Sequence, residues 1–338
     1  MLIYFAVLIY LLALNAFRYR KGLNYLAFLP IFVMLAFKGA VGCDYYGYYN
    51  HYLTYQEGQS IIDLRGEVGW YYVESLVDEF GLDYQWYYYI SGIIATACLF
   101  RANHRARSIG LIALIFPIIF VQLGLSGIRQ FLAVCIALAM LAEYVFKPPK
   151  TVWPFVVLTL VATTFHVSAL FMLIVLPFIF KLKPIVVALL VSVSLVAILS
   201  SFAEEVYSTY EYRYVNDRTR VSNGAWIRFA LTAVILFIGT IYQNKKYYKL
   251  GLTLLVLGLV IGAFNSIALH RMNYFIYPIA AMLLVDQSRR KKSQWLLWAG
   301  LGLSLGYMSF WFLFSTHSDC LIPYTWMWET GFDNFRTN

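Results

Sequence analysis

Arg129, Arg228 and Arg271 each stand near the start of a long apolar stretch, in Ser126-Gly-Ile-Arg129-Gln130-Phe-Leu-Ala, Ala225-Trp-Ile-Arg228 and His270-Arg271-Met-Asn273-Tyr274-Phe. A charge at the end of an apolar helix is costly unless it has a partner or a purpose. The ordinary purposes are snorkelling to lipid headgroups and pairing with a nearby acid. Three arginines at one depth, accompanied by Gln130, His270, Asn273 and Tyr274, suit another: the planar guanidinium fork matches the oxygens of a phosphate or diphosphate. On a helix, Arg271 and Tyr274 share one face and His270 and Asn273 the next.

His166, in Thr163-Thr-Phe-His166-Val-Ser168, lies at the end of another apolar run, and its imidazole titrates in the range that suits a general base. Lys38-Gly-Ala-Val-Gly42-Cys-Asp44-Tyr45 leads out of a further run. There Asp44 either caps the next helix or, with Glu67 further along, binds sugar hydroxyls or orients the base. The chain has no Gly-rich loop ending in Lys-Ser or Lys-Thr, no Gly-x-Ser-x-Gly, no paired histidines of a zinc protease and no Cys-x-x-Cys. No metal and no cofactor is expected.

The elements that must position these residues are membrane helices. With 61% hydrophobic and 13% charged residues and a mean hydropathy of +0.68, the chain is too apolar for a soluble domain. Twelve apolar stretches, 2–17, 23–41, 84–100, 108–125, 127–146, 152–167, 168–180, 184–202, 225–242, 250–267, 268–285 and 295–314, read as crossings of a single polytopic domain spanning 1–338. The stretch 168–180 is short, so it is either a tilted crossing or half of a re-entrant pair, and the alternation of basic loops favours two crossings. Counted so, one side holds the basic clusters at 18–21, 101–107, 147–150, 181–183, 245–249 and 289–292, with only Glu143 and Asp286 beside them. These clusters hold 17 of the 26 cations, and the positive-inside rule makes their side cytoplasmic. The net charge of +9 is thus a topology signal and not a nucleic-acid surface. Both termini are expected outside, with Arg105, Lys246 and Lys291 inside and Asn223 outside.

Three exterior segments remain: 42–83, 203–224 and the tail 315–338. Glu67-Val-Gly-Trp-Tyr-Tyr-Val-Glu-Ser-Leu-Val-Asp predicts a short amphipathic helix on the outer membrane surface. The dense tyrosines form an aromatic belt, with Tyr45, Tyr48 and Tyr49 as candidates for stacking on sugar rings. Cys98 and Cys135 are packing residues. Cys43 and Cys320 both come out on the external side, as two free thiols or as a bridge tying the tail over the Asp44 loop. Pro117 and Pro278 are expected to kink their helices.

Lys38 and Gly42-Cys-Asp44-Tyr45, then Glu67-Val-Gly69-Trp-Tyr, Ile128-Arg129-Gln130-Phe-Leu-Ala133, Phe165-His166-Val-Ser168-Ala169 and His270-Arg271-Met-Asn273-Tyr274-Phe275 follow one another in an order that resembles the EpsG family. These are polysaccharide polymerases of the Wzy type, for O-antigen or exopolysaccharide. The resemblance runs from Lys38 to Phe275, with lysine at 38 where the family favours arginine. It implies an all-α integral membrane protein, a GT-C-like bundle of about 12 transmembrane helices, in the bacterial cytoplasmic membrane with its active site facing the exterior. It also implies an undecaprenyl-diphosphate-linked oligosaccharide donor and acceptor as partners, besides the bilayer, a chain-length regulator and a flippase, and no nucleic acid. His166, Asp44 and Glu67 would be catalytic. Arg129, Arg271, Arg228, Lys38, Gln130, His270, Asn273, Tyr274 and Tyr45 would bind substrate. The competing classes are an O-antigen ligase, which shares the donor; a lipid-linked oligosaccharide flippase, which needs a basic cavity reaching the cytoplasmic half; and a membrane O-acyltransferase, whose polar groups belong near the inner ends.

Overall fold

A computed structural model describes residues 1–17, 19–56, 67–146, 151–180, 186, 192, 218–240, 245–264, 266–290 and 293–328. Among them the regular structure is helical: α1 (Leu2–Ala16), α2 (Lys21–Ala36), α3 (Tyr45–Gln56), α4 (Val68–Glu79), α5 (Gln85–Ala106), α6 (Ile109–Ile115), α7 (Ile128–Phe146), α8 (Trp153–Phe165), α9 (Leu176–Ile179), α10 (Arg218–Thr240), α11 (Lys245–Phe264), α12 (Ser266–Arg290) and α13 (Gln294–Phe314). α7 and α13 are each long and apolar enough to cross a membrane unaided, and α1, α2, α8 and most of α10 and α11 are shorter apolar helices. Large apolar side chains such as Leu2, Ile9, Leu29, Ile93, Val157, Leu160, Val234, Phe237, Val256 and Leu313 are exposed around the bundle. Water would not tolerate so wide an apolar surface, and lipid requires it. The chain is a helical membrane protein. The expected crossing 184–202 lies outside the described residues except at positions 186 and 192, and so do most of the segment 203–224 and the last ten residues.

Contacts fix the relative directions of α2, α5, α7 and α12. Asn103 of α5 meets Asn24 of α2, while Gln85 at the other end of α5 donates to the carbonyls of Ala36 (2.7 Å) and Lys38 (3.3 Å). Arg101 and Arg105 both bond Glu143 near the end of α7, and Arg289 donates to the Ala106 carbonyl. Arg101 and Arg105 of α5 and Arg289 of α12 thus share one end of the bundle with Glu143 of α7. That end also explains why α5 and α12 overrun their expected limits: arginine sustains a helix well, and each overrun ends in an ion pair, Arg105 with Glu143 and Arg290 with Asp286. α2 stops at Ala36, short of the expected 41, because residues 37–42 turn aside to pair with the tail.

Two local departures matter for the opposite end. At Pro117 the helix begun by α6 widens into π-helical turns over Phe116–Gly124, since proline removes a backbone donor and displaces the carbonyl it would meet. The short stretch 168–180 is a 3-10 helix, Val167–Val175, followed by α9. At about 2.0 Å of rise per residue, a 3-10 segment reaches further than an α-helix of equal length. α8 and this segment therefore form a helical hairpin, closed at one end by Phe155 against Phe180, with His166 at its apex in an extended conformation.

Candidate functional site

The end of the bundle away from the basic clusters is built on two close approaches. Gly42 has φ +105° and lies so near the Leu125 carbonyl that a side chain there would collide with it. The Gly42-Cys43-Asp44 turn is thereby pressed onto the Leu125-Ser126-Gly127 loop that starts α7, and Cys43 N–H donates to Ser126 Oγ at 3.3 Å. Gly69 makes the second: a Cβ would come 2.5 Å from Thr164 Oγ1 and 3.0 Å from Thr164 backbone, so α4 can settle against the end of α8 beside His166. The expected amphipathic helix is α4, which buries Trp70, Val73, Glu74 and Val77 and exposes Val68, Tyr72 and Leu76 in a line. The segment expected to carry it holds a second helix as well, α3, which starts directly after Asp44.

These approaches bring Glu67, Arg129 and His166 together. Arg129 Nη1 donates to Glu67 Oε2 at 2.8 Å, and His166 Nε2 lies 4.0 Å from Glu67 Oε1. The Arg129 guanidinium sits over the Tyr48 ring at 5.6 Å, and its Nε is buried without a partner among the described residues. Gln130 joins Arg271 to this group: its Nε2 donates to the Arg271 carbonyl at 3.1 Å and lies 3.5 Å from Ser168 Oγ. The charges of Arg271 and Arg129 both bear on the His166 ring. The group is partly open, with side-chain exposures of 31% for Arg129, 22% for Glu67 and 12% for His166.

Arg228 is placed differently. It is 3% exposed, lies over the Tyr274 ring at 4.5 Å, donates to Tyr307 at 3.3 Å and lies 3.4 Å from His270 Nδ1. His270 Nε2 is 3.4 Å from the Tyr274 hydroxyl, and Tyr307 also meets Gln122 of the π-helical turns. Asn273, fully buried, donates to the Ala225 carbonyl at 3.1 Å and so joins α12 to α10. Lys38 is enclosed: its Nζ donates to the carbonyls of Leu125 (2.6 Å) and Val41 (3.2 Å) beneath the Tyr88 ring, which makes it a staple between two backbones and withdraws it from any ligand. Tyr45 is likewise buried, edge-on to Tyr84 and stacked on Tyr88. Asp44 lies between the groups, its charge bearing on Lys38, Tyr48 and Tyr274.

Cys43 and Cys320 are bridged, with Cα atoms 5.0 Å apart. Around the bridge the tail folds back over the expected loop: Gly39 N–H donates to Thr325, Met327 N–H to Phe37, Gly42 N–H to Cys320 and the Tyr4 hydroxyl to Leu321. Cys98 and Cys135 are free thiols, half-buried and buried. Glu74, marked by no motif, joins the group around Glu67 and Arg129. It stands two helical turns beyond Glu67 on the same face, is 3% exposed, and accepts from Trp70 Nε1 at 2.6 Å. Burial raises its carboxyl above the ordinary glutamate range, against the Trp70 hydrogen bond and the Arg129 charge, which lower it. The i, i+7 spacing of Glu67 and Glu74 was the available signal. Ser168, Tyr307 and Gln122 complete the surroundings without such a signal, while Tyr48, a candidate for sugar stacking, has its ring under the Arg129 guanidinium.

Among the described residues no cluster of His, Cys, Asp and Glu is suited to hold a metal ion. The chemistry on offer is that of arginines, a histidine and carboxylates. No curated protein and no solved structure matches the chain. A family profile described as the EpsG family matches residues 21–326, nearly the whole length and every segment that forms this site. The chain belongs to the EpsG family.

Proposed function

We propose that the chain is a polysaccharide polymerase of the Wzy type, making O-antigen or exopolysaccharide in the bacterial cytoplasmic membrane. The growing glycan on undecaprenyl diphosphate is the donor, and a sugar hydroxyl of the incoming lipid-linked repeat unit is the acceptor. Arg271 and Arg129 neutralise the diphosphate as it leaves, where a soluble enzyme would use a metal. The Glu67–His166 pair handles the acceptor hydroxyl, and Asp44 shapes the loop beside it. Arg228, His270, Asn273 and Tyr274 support the wall behind the site. A flippase and a chain-length regulator are its expected partners.

The observation that carries this reading is the convergence of Glu67, Arg129 and His166 from segments far apart in sequence onto one partly open place, with the charge of Arg271 bearing on it. That place lies at the end opposite the basic clusters, which suits an exterior site fed from within the membrane. The Cys43–Cys320 bridge at the same end suits an oxidising compartment. The test is deletion of the gene followed by gel analysis of surface glycan. Loss of a polymerase leaves a single repeat unit on the acceptor lipid. Loss of a ligase leaves none, and that result would overturn the reading.

A further inference from the structure

His166 holds a tautomer that its neighbours dictate. The backbone N–H of Ser168 donates to His166 Nδ1 at 3.2 Å, and Ser168 Oγ lies 2.6 Å from the same nitrogen. A backbone N–H only donates, so Nδ1 must present its lone pair, and in the neutral ring the proton resides on Nε2. The bond also caps the 3-10 helix that begins at Val167, so the ring cannot turn over without uncapping that helix. Gln130 Nε2 approaches Ser168 Oγ and bonds the Arg271 carbonyl, tying the same arrangement to α12. On the other side of the ring, the Nε2 nitrogen lies 4.0 Å from Glu67 Oε1, beyond hydrogen-bond reach, and no described residue accepts from its N–H. The nitrogen facing the open place therefore carries a hydrogen, and the lone pair a base would need points into the fold.

We infer that His166 acts as a neutral hydrogen-bond donor, through Nε2–H, to the diphosphate of the departing lipid carrier, with Ser168 as the positioning residue that sets its tautomer. The inference rests on the polymerase reading for the identity of the step, and moves His166 from the acceptor hydroxyl, where that reading put it, to the leaving group. The acceptor hydroxyl oxygen bonds the anomeric carbon, and the bond from that carbon to the diphosphate oxygen breaks with its electron pair. The hydroxyl proton passes to the Glu67 carboxylate, while the new charge on the diphosphate meets Nε2–H and the Arg129 and Arg271 guanidiniums.

The test measures binding of undecaprenyl diphosphate and undecaprenyl monophosphate to the full chain in detergent, alongside elongation in membranes. His166→Ala should weaken diphosphate binding about tenfold, the worth of one hydrogen bond to a charged group, and affect monophosphate less. His166→Gln, whose amide N–H reaches to the place of Nε2, should restore most of the affinity and of the elongation rate. Elongation by the native chain should not fall as pH is lowered through the imidazole range. The inference is overturned if His166→Ala binds diphosphate as the native chain does, or if His166→Gln binds it normally yet elongates no faster than His166→Ala. The polymerase reading fails separately: native chain that binds diphosphate with this dependence on residue 166 but makes no polymer would sink that reading and leave the donor role standing.

Discussion

Arg129 and Arg228 are the same residue type, at the same end of one bundle, each beside a histidine and a tyrosine, yet they are built into opposite circumstances. Arg129 has a carboxylate partner, an unpartnered Nε and a side chain 31% exposed. Arg228 has rings and hydroxyls around it, no carboxylate ion pair among the described residues, and an exposure of 3%. A buried cation without a counter-ion is tolerated when polarisable rings and fixed dipoles surround it, and the arrangement then holds helices together. A partly open cation can serve a ligand. Depth along the membrane, which placed the three arginines together in the sequence, does not distinguish these cases; the packing of α12 against α10 and α13 does.

The largest effect expected from this contrast is catalytic. Arg271→Lys or Arg129→Lys keeps a charge but loses the fork, and each should slow polymerisation by about 10²-fold, the usual cost of losing one well-aimed donor to a developing oxyanion. Chain-length distributions on gels, with membrane insertion checked by immunoblot, measure it. Full activity in both variants would leave Arg129 and Arg271 as structural charges and erase the difference from Arg228.

Arg228→Met should act on the fold instead. It keeps the stem's bulk but removes the hydrogen bond to Tyr307 and the cation–π contact with Tyr274, together a loss of about 2–3 kcal/mol. Thermal unfolding of the purified chain in detergent reads this as a lowered midpoint. Surviving protein should retain diphosphate affinity. A variant of native stability that no longer binds diphosphate would place Arg228 in the ligand site after all.

The Cys43–Cys320 bridge should come next. Cys320→Ser releases the tail from the Gly42–Asp44 turn and is expected to cost about 2 kcal/mol, the lower part of the usual range because Gly39, Gly42 and Met327 still pair across the same seam. Mass spectrometry of the unreduced chain should find Cys43 and Cys320 in one cross-linked peptide pair. Two alkylated free thiols there would leave the tail held on this site by its backbone hydrogen bonds alone.

Much of the architecture was legible because lipid imposes it. Apolar runs parted by short polar loops call for helices, because lipid offers the backbone no other partner, but they do not say how many of α1–α13 cross. The convergence of Glu67, Arg129 and His166 was legible only as an ordered set of motifs; spacing says nothing about which helices touch. Gly69 explains why the Glu67 motif carries a glycine, but only once Thr164 is seen against it. The tail was illegible apart from Cys320, since its ties to residues 37–42 are backbone hydrogen bonds and leave no trace in residue type. Lys38 misleads for a similar reason: a lysine beside Asp44 reads as a phosphate ligand, and the two carbonyls that hold it are invisible to sequence.

The smallest expected effect separates the two acids of α4. Glu67 is half-open and ion-paired, whereas Glu74 is buried against Trp70 and its carboxyl is raised above the ordinary range, with burial as the leading cause. An acid whose folded pKa lies above its unfolded one binds its proton more tightly in the folded chain. Its contribution to stability is complete below the unfolded value, near 4.5, and is lost as pH rises through the folded value. The native chain should therefore lose thermal stability slightly as pH is raised from that point. Glu74→Gln cannot ionise and still offers an amide oxygen to Trp70 Nε1, so it should flatten that slope and be the more stable protein at neutral pH. Unfolding midpoints across the range measure it in both proteins. Parallel curves for native chain and variant would show that Glu74 titrates as freely as a surface acid, and that α4 does not seal its inner face.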